Sequence, residues 1–113
     1  MIESSKKVAP WRDAVRSETQ RVMTVLEIPP FAEPVTVMMR FFLTRPASAP
    51  KRVTRPAKYP DLDKLVRSTM DGLAAGGALA NDSIVVAIMT SKHFATPESP
   101  AGVVCTIAGL DEL

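Results

Sequence analysis

Three aspartates in the second half of the chain have the type and spacing to do chemistry: Asp61, Asp63 and Asp82. Asp61 and Asp63 are two residues apart, so inside a regular helix their side chains would point about 200° apart. They stand where a predicted helix begins, and backbone that is not yet helical lets both carboxylates converge. Asp82 stands in an Asn-Asp-Ser turn before a predicted strand. If that strand lies beside the helix start, the third carboxylate completes one acidic pocket.

An acidic pocket of this kind offers the ligands of a hard divalent cation. Carboxylate oxygens suit Mg²⁺, with Mn²⁺ as a substitute, and these ions take further ligands from a substrate phosphate. One or two such ions could polarise a scissile phosphate, activate a water molecule and stabilise the leaving oxygen. Lys64 and Arg67 leave the same helix close by, and Arg67 is suited to stabilising developing negative charge. Asp71 lies farther down the helix, as a structural or supporting acid.

The same pattern has a simpler interpretation. An Asp-x-Asp pair at a helix start is in most proteins a matter of capping and solvation, because a carboxylate there satisfies free backbone amides. Spacing and charge alone leave both interpretations open.

A basic segment precedes the acids. Residues 44–59 contain three prolines and no acidic residue, which predicts a loop. Such a loop is either a solvated connection or an arm that contacts phosphates, since phosphate contacts come mostly from Arg and Lys. The adjacent acids favour the second interpretation. Its basic side chains are Arg45, Lys51, Arg52, Arg55 and Lys58.

Composition and charge limit the classes of protein. The net charge of +2 hides an asymmetry, because residues 1–58 hold 11 of the 14 Lys and Arg, and residues 59–113 hold seven of the 12 acids. A basic half beside an acidic cluster suits capture of a polyanion. The single cysteine, Cys105, and single histidine, His93, predict neither an internal disulfide nor a zinc site. With no predicted secretory signal or membrane span, we expect a cytoplasmic protein.

Hydrophobic periodicity predicts five regular elements within one domain of 113 residues. Residues 1–10 are expected to be flexible, and two adjacent prolines, Pro29 and Pro30, end the first helix. Gly76 and Gly77 end the second helix. The predicted elements are a helix over 11–27, a strand over 34–43, a helix over 60–75, a strand over 83–92 and a strand over 102–108.

The residues around the acids resemble the motif of the RusA family of Holliday junction resolvases, phage-type enzymes that cut four-way DNA junctions. The family motif is a basic stretch, Pro-Asp-Leu-Asp-Asn/Lys-Leu, a basic residue, a short helix with a further Asp and Leu, and a turn ending in Asp-Asp-x-x-Val-Val. In this chain it reads Arg55 to Lys58, Pro60-Asp61-Leu62-Asp63-Lys64-Leu65, Arg67, Asp71 and Leu73, then Asn81-Asp82-Ser83-Ile84-Val85-Val86. The resemblance is specific over about residues 45–92.

The resemblance implies an α+β fold, with a small mixed β-sheet packed against two main helices. It implies that Asp61, Asp63 and Asp82 are catalytic acids that bind Mg²⁺, and that the working unit is a homodimer. Arg67 then stands in the place of a catalytic lysine, and Asn81, expected as a supporting group, replaces the first acid of the usual Asp-Asp pair. Family members usually begin with a strand and a basic loop, whereas this chain begins almost at the first helix, so the N-terminal strand is expected to be missing.

Three functional hypotheses follow from these features. The first is a Mg²⁺-dependent endodeoxyribonuclease that resolves branched DNA by paired symmetric nicks, in recombination and repair. The second is a shortened homologue that binds branched DNA without cutting it. The third is a structural domain whose acids only cap a helix.

Overall fold

The computed structural model describes residues 2–58 and 60–110, with the side chains of the first helix described from Pro10 onward. Met1, at the start of the segment expected to be flexible, and Tyr59, at the end of the basic loop, lie outside the described residues. Two helices and a three-stranded mixed sheet form an α+β fold, as expected. The elements are α1 (Ile2–Val25), β1 (Val35–Leu43), α2 (Leu62–Ala75), a short 3-10 helix (Asp82–Ile84), β2 (Val85–Phe94) and β3 (Gly102–Gly109).

The predicted start of the first helix was wrong. Helical backbone continues back from Trp11 to Ile2 and passes through Pro10, although proline removes a backbone hydrogen bond and commonly ends a helix. The other end agrees better with the sequence. Glu27 has a φ of 53°, and the Ile28 amide donates to the Met23 carbonyl at 2.9 Å, so the chain turns out of the helix two residues before Pro29-Pro30.

Strand β1 is the centre of the sheet, in the order β2-β1-β3. It pairs with β2 in parallel and with β3 antiparallel. The alternation in its sequence predicted one apolar face, and Val35, Val37, Met39 and Phe41 are indeed buried. These side chains form the core together with residues of both helices. The remaining strands begin and end within two residues of the predicted bounds.

The two helices approach each other closely because α2 carries glycines on the contact face. A Cβ added at Gly72 would lie 2.7 Å from the Val15 Cβ, and one added at Gly76 would lie 2.6 Å from the Thr19 Cβ. Real Cβ atoms do not come this close, so both positions require glycine at this helix separation. The Trp11 indole donates to the Thr69 hydroxyl at 3.1 Å and fixes the same contact farther along.

In the sequence, helix α2 connects the two parallel strands β1 and β2, so it runs along the sheet in the opposite direction to them. After α2 ends, the chain pairs with the segment before β1, since the Phe31 amide donates to the Ala78 carbonyl at 2.8 Å and the Ala80 amide to the Phe31 carbonyl at 2.8 Å. The start of α2 lies at the other end, where the Lys92 ammonium near the end of β2 donates to the Pro60 carbonyl at 3.1 Å. This β-α-β path decides where the predicted acids lie.

Candidate functional site

Asp61 occupies the N-cap position of α2, in extended backbone with φ −67° and ψ 140°, yet its carboxylate makes no capping hydrogen bond. Its backbone carbonyl accepts the first helical hydrogen bond, from the Leu65 amide at 3.1 Å. The nearest cation is Lys64, whose Nζ lies 3.9 Å from Asp61 Oδ2, with both side chains about half exposed. Capping therefore does not account for Asp61.

Asp63 lies in the first turn of the same helix and is also exposed. A carboxylate there is stabilised by the positive end of the helix dipole. Arg67 follows Asp63 by one helical turn and Asp71 follows Arg67 by another, and all three are exposed. Residues four apart are neighbours on a helix surface, so Arg67 can reach a group bound at Asp63, whereas Asp71 lies one turn too far.

Asp82 lies in the 3-10 helix that leads into β2, and its side chain is exposed. The turn is held by the residue before it, because the Asn81 side-chain oxygen accepts a hydrogen bond from the Ser83 amide at 2.9 Å. Asn81, expected only as a supporting group, thus has a structural role as the cap of this short helix. The Asp82 carboxylate is left without a hydrogen bond or ion pair within the described part of the chain.

The fold puts Asp82 far from the other two acids. Val85, at the start of β2, pairs with Val35 at the start of β1, whereas Lys92, beside the start of α2, pairs with Phe41 near the end of β1. Seven residues of strand separate these levels, on the order of 20 Å, and the 14 residues of α2 give a similar length of about 20 Å. Asp61 and Asp63 therefore lie at one end of the sheet and Asp82 at the other.

The convergence of all three carboxylates, expected if β2 started beside the helix start, does not occur within one chain. Among the side chains that the structure describes, over residues 10–58 and 60–110, no three of His, Cys, Asp or Glu lie close enough together to hold a metal ion. The chemistry of the donors still fits a hard divalent cation, because each acid presents exposed carboxylate oxygens. The roles assigned to Asp61, Asp63 and Asp82 stay predictions.

Two cations, Lys92 and Arg55, hold the start of α2 against β2. Lys92 donates from its Nζ to the Lys58 carbonyl at 3.0 Å and to the Pro60 carbonyl at 3.1 Å. Arg55 donates in return from its guanidinium to the Lys92 carbonyl at 3.3 Å. The sequence did contain a signal for Lys92, because strand alternation from Ile88 puts residue 92 on the inward face of β2, where a charged side chain is unusual.

The basic side chains of the loop fall into two groups. Arg45 donates to the Val53 carbonyl at 2.9 Å and to the Pro50 carbonyl at 2.6 Å, and its guanidinium lies 4.7 Å from the centre of the Phe94 ring. These contacts shape the loop and occupy much of the group. The side chains of Lys51, Arg52 and Lys58 are exposed. Arg45 is exposed too, but only the other three side chains make no hydrogen bond or ion pair within the described residues. The prediction that all of them bind DNA therefore rests more firmly on Lys51, Arg52 and Lys58 than on Arg45.

His93 belongs to a small cluster on the sheet face that does not contact the helices. Its ring stacks on Phe42 with centroids 5.3 Å apart, and its Nε2 lies 2.7 Å from the Ser91 hydroxyl. Desolvation lowers the pKa of His93, and the nearby guanidinium groups of Arg55 and Arg40 lower it further. Both effects on the pKa favour the neutral form of the imidazole.

An apolar groove with a volume of about 770 Å³ lies between α1 and β3, away from the acids. Trp11, Val22 and Met23 line it from the helix side, and Val103 and Cys105 from the strand side. Burial raises the pKa of the Cys105 thiol to about 11, so it is protonated near neutral pH and behaves as a small apolar residue. None of the three predicted catalytic acids, Asp61, Asp63 and Asp82, lines this groove.

None of the helices in the described parts of the chain is long and apolar enough to cross a membrane.

Comparison with known proteins agrees with the resemblance of the motif to the RusA family. No curated protein is significantly similar in sequence to the chain. The family model described as endodeoxyribonuclease RusA matches residues 2–107, well beyond the motif itself. The chain therefore belongs to the RusA family of endodeoxyribonucleases, Holliday junction resolvases that hydrolyse phosphodiester bonds in branched DNA.

Proposed function

We propose that this protein is a Mg²⁺-dependent endodeoxyribonuclease, with Mn²⁺ as a substitute, that resolves four-way DNA junctions by paired symmetric nicks. It acts as a single-domain protein, assembled as a homodimer, in recombination and repair of DNA in the cytoplasm. One observation besides family membership carries the proposal. Asp61 stands at a helix start without capping it, beside Asp63 and several cations, which is the arrangement expected of a carboxylate kept for a ligand.

Asp61 and Asp63 would hold the metal ion from the start of α2, and Asp82 would complete the ligand set. When bound, a divalent ion lowers the pKa of a water molecule and draws negative charge from the scissile phosphate. These carboxylates suit the task because they are exposed, and Asp63 and Asp82 have no partner in the described chain that an ion would have to displace. Lys64 makes only a long, exposed ion pair with Asp61, which is weak enough to yield to a metal ion.

The distance between Asp82 and the other two acids supports a site shared by two subunits. Asp82 lies on the order of 20 Å from the start of α2 in the same chain, which is too far for a shared ion. A two-fold dimer that brings the Asp82 turn of one chain to the α2 start of another makes two equivalent sites, because a two-fold contact is reciprocal. Two equivalent sites suit a four-way junction, whose symmetric strands are cut in pairs.

The remaining side chains bind and position the substrate. Lys51, Arg52 and Lys58 are exposed on the loop that leads to Asp61, where they can neutralise successive phosphates of the DNA backbone. Arg67, one turn after Asp63, donates to a non-bridging oxygen of the scissile phosphate as its negative charge increases. Lys64 adds a further positive charge at the same helix end. Arg45 contributes indirectly, by shaping the loop.

A second function, binding of branched DNA without cleavage, is favoured by one observation. Within the described residues the three acids do not form a metal-binding group in one chain, so a monomer would keep the basic loop and lack the complete acidic site. This alternative is tied to the oligomeric state, since a stable monomer would bind junctions and leave them uncut. The capping hypothesis, by contrast, loses its main support at Asp61, whose side chain caps nothing.

The proposal is tested by incubating a labelled four-way junction with the protein in Mg²⁺, with linear duplex and Asp63→Asn as controls. We expect paired symmetric nicks in the junction, none in the duplex, and loss of nicking in the variant without loss of junction binding. Tight binding without cleavage would support the binding protein instead. An absence of both, with no effect of Mg²⁺ on the melting temperature, would contradict the proposal, because a metal bound to the native state raises that temperature.

A further inference from the structure

We infer that Lys92 is a positioning residue, which fixes the backbone before Asp61 and so orients the two carboxylates at the start of α2. This inference rests on the proposed function, because it assigns Lys92 to the same acidic site. Lys92 is not one of the acids or cations predicted for that site. It acts through hydrogen bonds between β2 and the backbone at the end of the loop.

The geometry around the Lys92 ammonium supports this role. The Nζ atom donates to the carbonyls of Lys58 and Pro60, at 3.0 and 3.1 Å. Pro60 is joined directly to Asp61, so the hydrogen bond to its carbonyl fixes the plane of the peptide from which Asp61 continues. A charged donor makes stronger hydrogen bonds than a neutral one, particularly where water is partly excluded, and Lys92 is partly buried.

The position of Lys92 in the sheet explains why its ammonium reaches this point. Lys92 pairs with Phe41 in the parallel ladder, and Phe41 is fully buried in the core. Paired residues of adjacent strands point to the same face, so the lysine stem leaves β2 on the helix side. The apolar stem can then lie along the core while the charged end emerges at the start of α2.

A second hydrogen bond closes the contact from the loop side. Arg55 donates to the Lys92 carbonyl at 3.3 Å, so the last residues of the loop and the end of β2 hold each other in both directions. No corresponding hydrogen bond in the described structure ties the Asp61 carboxylate itself. The backbone before Asp61 is held while the Asp61 carboxylate stays available to a metal ion.

The variant Lys92→Met tests the inference, because it removes the ammonium and keeps an unbranched apolar stem. Supporting residues around metal ligands typically contribute about 10- to 100-fold to activity or metal affinity, so we expect junction cleavage to fall by that factor while junction affinity stays within about threefold. Lys92→Arg keeps a cationic donor and should recover part of the loss. A phosphate contact would behave differently, since its removal lowers the salt dependence of binding by about one unit of slope.

Amide hydrogen exchange of the metal-free protein separates this inference from the proposed function. In Lys92→Met, the amides of Leu65 and Val66, in the first hydrogen-bonded turn of α2, should exchange about tenfold faster while those of β1 keep their protection. This result would support the positioning role even if the wild-type protein did not cleave DNA. Unchanged exchange at the helix start, or cleavage at the wild-type rate, would overturn it. If Lys92→Met does not fold, Lys92→Gln, which keeps one donor group, is carried through the same measurements and decided by the same outcomes.

Discussion

The two ends of helix α2 both carry predicted catalytic acids, but their surroundings differ. At the N-terminal end, Asp61 and Asp63 follow a basic loop and lie beside the hydrogen-bonded pair Lys92 and Arg55. Beyond the C-terminal end, Asp82 stands in a turn that the Asn81 side chain caps, and β2 begins three residues later. One end combines acids with cations, and the other offers an acid alone.

This difference indicates how the work is divided. Basic side chains attract a polyanion, and at the N-terminal end of α2 they lie near the acids. This end can therefore capture a polyanion and orient it. The Asp82 turn cannot do so alone, yet it supplies a carboxylate on a rigid strand start. A complete site therefore needs both ends, and the length of α2 prevents one chain from bringing them together.

The largest expected effect comes from removing an acid at either end. If both ends belong to one catalytic site, Asp63→Asn and Asp82→Asn should each lower cleavage of a four-way junction by about 1,000-fold or more, since each removes a ligand of the ion that stabilises the transition state. Single-turnover cleavage in Mg²⁺ measures this, with Asp71→Asn as the matched control that should lose far less. Full activity in Asp82→Asn would show that Asp82 is not part of the catalytic site.

The next largest expected effect is on the packing of α2, the helix that separates Asp61 and Asp63 from Asp82. Gly72→Ala should lower the free energy of unfolding by about 1–3 kcal/mol, because its Cβ would lie 2.7 Å from Val15. Denaturant titration measures the change. Gly109→Ala is the matched control, since nothing lies within 4 Å of its Cβ position, and it should change stability by less than about 0.5 kcal/mol. Equal changes in the free energy of unfolding for the two variants would show that the close approach of α1 to α2 does not require glycine at position 72.

The sequence predicted the central parts of this fold because their patterns are local. Strand β1 was recognised from an alternation that leaves one face wholly apolar, and α2 from a single apolar stripe between Pro60 and Gly76. The start of α1 was predicted wrongly, since proline usually ends a helix and here lies inside one. The role of Gly72 was missed, because a glycine inside a helix pattern does not reveal which neighbouring helix approaches it.

The candidate site could be predicted as a set of residues and not as an arrangement. The motif supplied Asp61, Asp63 and Asp82, but the distance between them depends on the direction in which α2 returns along the sheet, which spacing does not encode. Lys92 was missed for a similar reason. Its carbonyl partners, Lys58 and Pro60, are 34 and 32 residues away in the sequence and become neighbours only through the pairing of β2 with β1.

A smaller effect is expected for the exposed cations of the loop. The double variant Lys51→Ala/Arg52→Ala should lower the slope of log affinity against log salt concentration by about two, since each contact with a phosphate releases about one counterion. Junction binding measured between low and moderate salt tests this. Arg45→Met is the comparison, because Arg45 is engaged within the loop, and it should change loop stability more than the slope. An unchanged slope in the double variant would show that Lys51 and Arg52 do not contact the DNA phosphates.

The smallest expected effect is a change in the titration of His93. The fold lowers the pKa of His93, so the unfolded chain takes up a proton first as pH falls, and stability contributed by the neutral ring is lost below the unfolded value of about 6.5. DNA phosphates near Arg55 should raise this pKa towards its ordinary value. NMR titration of the ring with and without junction DNA measures the shift, and no change would argue against binding at the N-terminal end of α2.

The most direct test of the shared site is to mix two inactive variants, Asp63→Asn and Asp82→Asn, after exchange of subunits. A site built from two chains predicts that mixed dimers regain one intact site, so the mixture should nick the junction at about a quarter of the wild-type rate, although neither variant cuts alone. A site contained in one chain predicts no recovery, because every subunit then carries a defective site. Continued inactivity of the mixture, with subunit exchange verified, would contradict the account.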